Sequence, residues 1–159
     1  MRFEVRELSP DDYDRIIALW REAGLPHEPS GRDSRESIES RMERDPDLFL
    51  GAFAGGRLIG TAFGSYDGMR GWVHRLAVHP DFRRRGVARA LVAELERRLA
   101  SRGAMVISAL VYADNEPSLR LFESMGYQVR RDILYVRKDL REASKRDLQA
   151  RSSGERFKT

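Results

Sequence analysis

Residues His74 to Glu96 read HRLAVHPDFRRRGVARALVAELE, and the other predicted elements are arranged around them. Leu76 to Val78 is apolar and has strand character, and it stops before Pro80, which cannot donate to a sheet ladder. A basic loop that contains Gly86 follows, and then apolar residues recur at helical spacing. The first N–H groups of a helix lack internal partners, and the macrodipole makes that end positive. The stretch therefore predicts a strand, a turn and a helix start that can bind phosphate.

The composition predicts an ordinary globular domain. The chain has 159 residues, of which 41% are hydrophobic and 34% are charged. It has no cysteine, which excludes disulfides and thiolate metal sites, and its three histidines lack metal-ligand spacing. No apolar run approaches the roughly 20 residues of a membrane span, and the N-terminus lacks a signal-peptide core. We therefore expect no metal, no membrane partner and a cytoplasmic location.

The positive charge is concentrated in two places. The net charge is +4, and from Lys138 onward there are seven Lys or Arg and four Asp or Glu. Most of the remaining excess lies around the basic loop, at Arg83, Arg84, Arg85 and Arg89. The body of the chain is slightly acidic and has no basic patch interleaved with aromatic residues. A nucleic-acid partner is therefore not expected.

Hydrophobic periodicity and turn residues predict the other elements. Strands are expected at 2–6, 48–54, 57–66, 71–78, 105–112 and 127–136, with Gly55-Gly56 as a tight hairpin turn. Helices are expected at 9–24, 33–44, 86–101 and 115–125, and residues 25–32 form a loop. After Asp139 the chain is polar and lacks an apolar stripe, which favours a frayed helix or a disordered tail.

Two motifs carry a resemblance to a known family. The spacing R-x-x-G-x-A at 83–88 resembles the Q/R-x-x-G-x-G/A loop of the GNAT superfamily, the acyl-CoA-dependent N-acetyltransferases. Residues 115–127 read NEPSLRLFESMGY and are similar to the family segment N-x-x-A-x-x-L-Y-E-x-x-G-F. The predicted order β-α-α-β-β-β-α-β-α-β also matches. The resemblance covers about residues 2–137 and is closest to small bacterial members, including the branch that acetylates ribosomal proteins.

The resemblance implies the fold. It is an α/β (α+β) GNAT fold, with a mostly antiparallel mixed sheet, a splay between the two central parallel strands, and helices on both faces. It implies an acetyltransferase domain at 1–138 and a polar tail at 139–159.

The same resemblance implies acetyl-CoA as the acyl donor. In relatives the strand before the loop pairs its backbone with the pantetheine arm, and the loop holds the pyrophosphate. Transferred to this sequence, the expected coenzyme-binding residues are Leu76, Ala77, Val78, Arg83, Arg84, Arg85, Gly86, Val87, Ala88, Arg89, Asn115, Ser118 and Phe122. The backbone N–H near Val78 would also polarise the acetyl carbonyl.

This sequence departs from the family at two catalytic positions. The tyrosine that protonates the leaving thiolate in relatives is Phe122 here, which has no proton to give. The glutamate that precedes the motif asparagine by five residues in the ribosomal-protein branch is Leu110 here. Neither catalytic role transfers to these two residues.

Substitutes for the missing groups can be named. His74 lies on the strand just upstream of the coenzyme-pairing residues and suits a general base, although a half-exposed strand residue is an equal interpretation. Tyr112 could protonate the thiolate, but the pattern somewhat favours the alternative interpretation, an aromatic cap on the sheet edge. His79 falls at a position that faces solvent in relatives and is assigned a structural role. His27 and Glu28 belong to the loop that usually lines the acceptor site.

Three functions compete. The first is an N-acetyltransferase that moves acetyl from acetyl-CoA to a primary amine, which is a small molecule, a protein N-terminus or a lysine. The second is an acyl-CoA-binding module with little or no turnover, suggested by Phe122 and Leu110. The third, a nucleic-acid-binding protein, rests only on the basic pI and is the weakest. The sequence does not identify the amine, and it leaves a homodimer open.

Overall fold

The computed structural model describes Met1–Glu142, and the predicted tail beyond this point lies outside the described residues. The chain divides into two compact units, Met1–Tyr127 and Gln128–Thr159. The first unit holds all the strands and helices that position the candidate site.

Five strands and four α-helices make up the first unit in the described chain. The strands are β1 (Glu4–Glu7), β2 (Phe49–Ala54), β3 (Arg57–Tyr66), β4 (Arg70–Val78) and β5 (Val106–Ala109). The helices are α1 (Tyr13–Ala23), α2 (Arg35–Arg44), α3 (Val87–Arg102) and α4 (Glu116–Ser124). Short 3₁₀ turns at Pro10–Asp12, Pro46–Leu48 and Pro80–Phe82 each begin at a proline, whose fixed φ suits the first helical position.

The strands form one mixed sheet in the order β1-β2-β3-β4-β5. The first four strands pair antiparallel, and β4 pairs parallel with β5. The β2–β3 hairpin turns at Gly55 and Gly56, whose φ angles of 55° and 81° lie in the left-handed region that a tight primed turn requires. The mixed, mostly antiparallel sheet predicted from the sequence is confirmed.

The parallel pair separates part-way along its length. Pairing runs from Arg70 opposite Val106 to Val73 opposite Ala109, and β4 then continues alone to Val78. This divergence is the predicted splay. It lies at one edge of the sheet and not at its centre, because β5 has no further strand beside it in the described chain.

Helices cover both faces of the sheet. On one face, Trp20 of α1 packs on Phe63, with ring centroids 5.5 Å apart. On the other face, α3 lies so close that a Cβ added at a sheet glycine would meet its leucines. At Gly64 the added atom would lie 2.7 Å from Leu95, and at Gly71 it would lie 2.9 Å from Leu99. Glycines in the strands therefore allow α3 to approach the backbone of the sheet.

Two strand predictions at the end of the chain differ from the structure. The segment 105–112 is paired only at Val106–Ala109, since β4 turns away beyond that point. The segment 127–136 was predicted as a strand and has no strand structure. Alternating apolar residues form a strand only when a neighbour takes up their backbone hydrogen bonds. Ile133 to Val136 are instead largely exposed.

No helix in residues 1–142 is long and apolar enough to cross a membrane.

Candidate active site

The loop between β4 and α3 has the backbone shape of an anion site. Arg84 and Gly86 both adopt left-handed conformations, with φ angles of 61° and 82°. Gly86 is the N-cap of α3, and no atom beyond its immediate neighbours in the chain lies within 4 Å of the place where its Cβ would be. Such turns direct successive backbone N–H groups to one point, and the first N–H groups of α3 lack helical acceptors. The arrangement suits the pyrophosphate that the sequence motif implies.

The side chains around this loop hold it in place. The Arg83 guanidinium donates to the carbonyl of Val78 at 3.3 Å and to the carbonyl of Ala23 at 3.2 Å. Arg89 donates to Ser124 Oγ at 2.6 Å, which links α3 to α4. Arg84 and Arg85 are exposed. Arg83 therefore attaches the loop to β4 and α1, and Arg84 and Arg85 add positive charge at the loop surface.

The splay leaves one edge of β4 open beside this loop. On the β3 side, Ala77 lies opposite Thr61 and Val78 opposite Gly60. On the other side, Leu76 to Val78 have no strand partner in the described chain, because β5 ends at Ala109. An extended amide chain can pair with such a free edge. The pantetheine arm of coenzyme A contains two amides and fits this chemistry.

Asn115 and Ser118 are placed by the start of α4. Asn115 is the N-cap of this helix, and its Oδ1 accepts the N–H of Ser118 at 3.3 Å. Asn115 is an exposed residue, and its side-chain amide N–H groups can donate to a ligand. Phe122 lies deeper, only 5% exposed, with its ring edge-on to Tyr127 at a centroid distance of 4.9 Å. Its expected contact with the coenzyme stays a prediction.

His74 is available as a base on the face of the sheet that carries α1. Its side chain is exposed, and Nε2 lies 2.8 Å from Ser65 Oγ. Partial desolvation, together with the positive charges of Arg41 and Arg75, lowers the pKa of His74 below its ordinary value. The imidazole is therefore neutral at pH 7, as a proton acceptor must be.

The other aromatic and histidine candidates are separate from His74. Tyr112 is 74% exposed, and its backbone carbonyl accepts the N–H of Asn115 at 2.9 Å. The structure gives Tyr112 and His74 no mutual contact within residues 1–142. His79 was expected to face solvent, but it is buried. Its Nδ1 accepts the N–H of Asp81, and its Nε2 pairs with Glu22. Its predicted structural role agrees with these bonds.

The loop that was expected to line the acceptor site is attached to β4. In this loop His27 Nδ1 lies 2.9 Å from the carbonyl of Leu25, and Glu28 is partly exposed. Asp33, at the end of the loop, is fully buried and pairs with Arg75 of β4 at 2.5 Å. Sequence reasoning missed both residues. Asp33 resembles an ordinary acid at a helix start, and a single arginine in a strand carries no signal that it will meet a partner 42 residues away.

Within residues 1–142, no group of three or more His, Cys, Asp or Glu side chains could hold a metal ion.

Comparison with known proteins identifies the family. The model of the acetyltransferase (GNAT) family matches residues 11–127. An acetyltransferase of Sodalis glossinidius is 37% identical over 137 residues, which is 86% of this chain and 95% of that protein. An acetyltransferase of Photorhabdus laumondii is 41% identical over 127 residues, which is 80% of this chain and 87% of that protein.

Solved structures show the same fold. The PaiA N-acetyltransferase of Thermoplasma acidophilum in complex with coenzyme A has a TM-score of 0.72 and 24% identity, covering 82% of this chain and 92% of that one. AAC(6')-Iy in complex with a bisubstrate analogue also has a TM-score of 0.72, at 21% identity, covering 87% of this chain and 99% of that one. From the family model and the bacterial relatives together, the chain belongs to the acetyltransferase (GNAT) family.

Proposed function

We propose that this protein is an acetyl-CoA-dependent N-acetyltransferase that transfers acetyl to a primary amine by direct attack in a ternary complex. One observation carries the proposal most strongly. The open edge of β4 at Leu76–Val78 leads directly into the left-handed loop and the free helix start at Gly86. Backbone groups for an extended amide chain and for a pyrophosphate therefore follow each other along a few residues.

Direct transfer to the amine fits the composition of the chain. There is no cysteine, so an acetyl group cannot pass through a protein thioester. In a direct transfer the amine nitrogen attacks the thioester carbonyl, the C–S bond breaks, and the thiolate leaves with the electron pair. The enzyme then contributes mainly positioning, a polarised carbonyl and a place for one proton.

His74 is the proposed proton acceptor. The attacking amine must be neutral, whereas a lysine amine has an ordinary pKa of roughly 10.4 and an α-amino group one of about 8. The neutral imidazole of His74, directly or through water, can take the proton that the amine loses. Its bond to Ser65 and its stacking with Trp72, at 6.5 Å between centroids, hold the ring in place.

The leaving thiolate needs less help than an alkoxide would. A cysteine thiol has an ordinary pKa of about 8.5, and aliphatic thiols in general are far more acidic than alcohols, so the thiolate departs without full protonation. Water or Tyr112 supplies the final proton, because Phe122 cannot. We therefore expect turnover to be slow but present.

Phe122 also favours a second candidate function, in which the protein binds acyl-CoA but seldom turns it over. Phe122 replaces the usual proton donor and its ring is buried, which would suit a module that binds acyl-CoA with little or no turnover. The two functions share the coenzyme site and differ only in chemistry. The cytoplasmic location and the oligomeric state stay predictions.

A thiol-release assay tests the proposal. Acetyl-CoA is incubated with a panel of small amines, lysine peptides and peptides with free N-termini, and the freed thiol is measured with a chromogenic reagent. The protein adds no background, since it has no thiol of its own. We expect release with at least one amine, matched by acetylated product in mass spectrometry. If no amine gives release and Phe122→Tyr gains none, the acyl-CoA-binding module replaces the enzyme.

A further inference from the structure

Asp33 is a buried carboxylate that the proposed chemistry does not use. It is 0% exposed and lies between the loop 25–32 and α2. Its Oδ2 accepts the backbone N–H of Glu28 at 2.9 Å and Arg75 Nη2 at 2.5 Å. Its Oδ1 lies 3.9 Å from Arg41 and makes no hydrogen bond within the described chain. A charge in such a place is retained only when its partners are held in good geometry.

Arg75 attaches the loop to β4 at two points. Besides its bond to Asp33, its Nη1 donates to the carbonyl of Pro26 at 2.8 Å. The guanidinium also lies 5.2 Å from the centre of the Trp20 ring, which restricts it further. One arginine side chain therefore holds both ends of the loop.

The backbone of Arg75 has a second role. Its φ of 52° is left-handed, which is unusual for a residue with a side chain, and the register with β3 shifts at this point. Its carbonyl accepts Thr61 Oγ1 at 2.8 Å, and Thr61 in turn accepts Trp20 Nε1 at 2.9 Å. This bulge sets the direction of Leu76 to Val78, which follow immediately.

From these contacts we infer that Arg75 and Asp33 are positioning residues that join the two substrate halves of the site. The inference rests on the proposed function. The backbone of Arg75 shapes the strand that pairs with acetyl-CoA. Its side chain, through Asp33 and Pro26, orders the loop that faces the acceptor amine. Neither residue needs to touch the reacting atoms.

Arg75→Gly separates the two roles. Glycine adopts a positive φ without strain, so the bulge and the coenzyme strand are kept while the loop loses its anchor. Asp33→Asn removes the charge with little change of shape and should loosen the same loop. The readout is hydrogen exchange of the amides in residues 25–34, measured with exchange of the α3 core as an internal reference and with calorimetric acetyl-CoA affinity.

The expected pattern is specific. Each variant should speed exchange in 25–34 by about tenfold or more, the equivalent of losing one charged hydrogen bond, and keep the acetyl-CoA Kd within about threefold. The double variant should speed exchange by less than the product of the two single effects, because both variants break the Arg75–Asp33 pair. Once an acceptor amine is known, the KM for that amine should rise by about tenfold in each variant, while kcat changes less.

Arg102→Gln is the matched control. Arg102 pairs with Asp45 at 2.8 Å and with Asp47, at the other end of α3 from Gly86. Losing these pairs should leave exchange in 25–34 unchanged. If Arg75→Gly leaves that exchange unchanged, or weakens acetyl-CoA binding more than about tenfold, the inference is overturned. Should the α3 core also exchange faster in Arg75→Gly, the Asp33→Asn variant, which leaves the backbone of residue 75 unchanged, gives the decision. These readouts need no acceptor, so they stand even if the amine panel shows no turnover.

Discussion

The loop 83–86 and the loop 25–32 both attach to β4, but they are held in different ways. The first is shaped by backbone conformation, with left-handed residues at Arg84 and Gly86 and a helix start directly after them. The second is shaped by side chains, with Asp33 and Arg75 as its anchor. The first belongs to the proposed donor half of the site, and the second to the acceptor half.

This difference explains how each half can vary. A backbone site for a constant ligand needs only a glycine, a turn and a helix, and these are local in sequence. The acceptor half depends on contacts between residues 42 and 49 positions apart, so many sequences can produce different loops on the same strand. The donor half should therefore respond to changes at glycine, and the acceptor half to changes of charge.

The largest expected effect is in the donor half. Gly86→Glu places a carboxylate where the pyrophosphate is proposed to lie. It also puts a residue with a side chain at a φ of 82°, which strains the backbone. The loss of two or more charged hydrogen bonds should weaken acetyl-CoA binding about a thousandfold, measured by calorimetry.

Gly56→Glu is the control for that change. Gly56 has a φ of 81° and, like Gly86, no atom within 4 Å of its Cβ position. Both substitutions should lower Tm similarly, and only Gly86→Glu should affect the coenzyme. Equal affinities in the two variants would show that the loop does not bind it.

A smaller effect is expected at His74. His74→Gln should lower kcat/KM by about 10²-fold and flatten its pH profile. In the wild type the acid limb should lie below the ordinary histidine pKa of roughly 6.5, because the lowered pKa of His74 keeps the base neutral to a more acidic pH. A mutant that retains the same acid limb would assign the proton transfer to water or to the acceptor loop.

The smallest effect compares two helix caps. Asn115→Ala removes the cap of α4, and Ser34→Ala removes the cap of α2, where Ser34 Oγ accepts the N–H of Ser37 at 3.2 Å. Each should cost about 1 kcal/mol of unfolding free energy in denaturant titrations. Only Asn115→Ala should also weaken acetyl-CoA binding, by about fivefold for one lost hydrogen bond. If the Ser34 variant weakens it equally, Asn115 is only a cap.

The sequence predicted what depends on local patterns. The β2–β3 hairpin follows from Gly55-Gly56, and α3 begins after Gly86 and ends before Gly103, as glycines at these positions predict. The strand at 127–136 was wrong, because alternation of apolar residues does not reveal whether a partner strand is present. Its apolar residues carried the same signal as those of β3.

The acceptor half could not be predicted for a different reason. Asp33 is buried and pairs with Arg75, 42 residues later in the chain, and neither residue type signals this pairing in a single sequence. Likewise, nothing in the sequence near Arg75 indicates that its φ is positive. A positive φ is costly for most residues, and in Arg75 it occurs together with hydrogen bonds to Asp33, Pro26 and Thr61.

Hydrogen exchange of the wild-type protein with and without acetyl-CoA tests the central claim most directly, because the claim concerns backbone N–H groups. We expect acetyl-CoA to slow exchange in residues 76–78 and 86–89 and to change exchange in residues 49–54 of the buried strand β2 very little. Protection confined to other segments, or none at a coenzyme concentration that calorimetry shows to be saturating, would contradict the account.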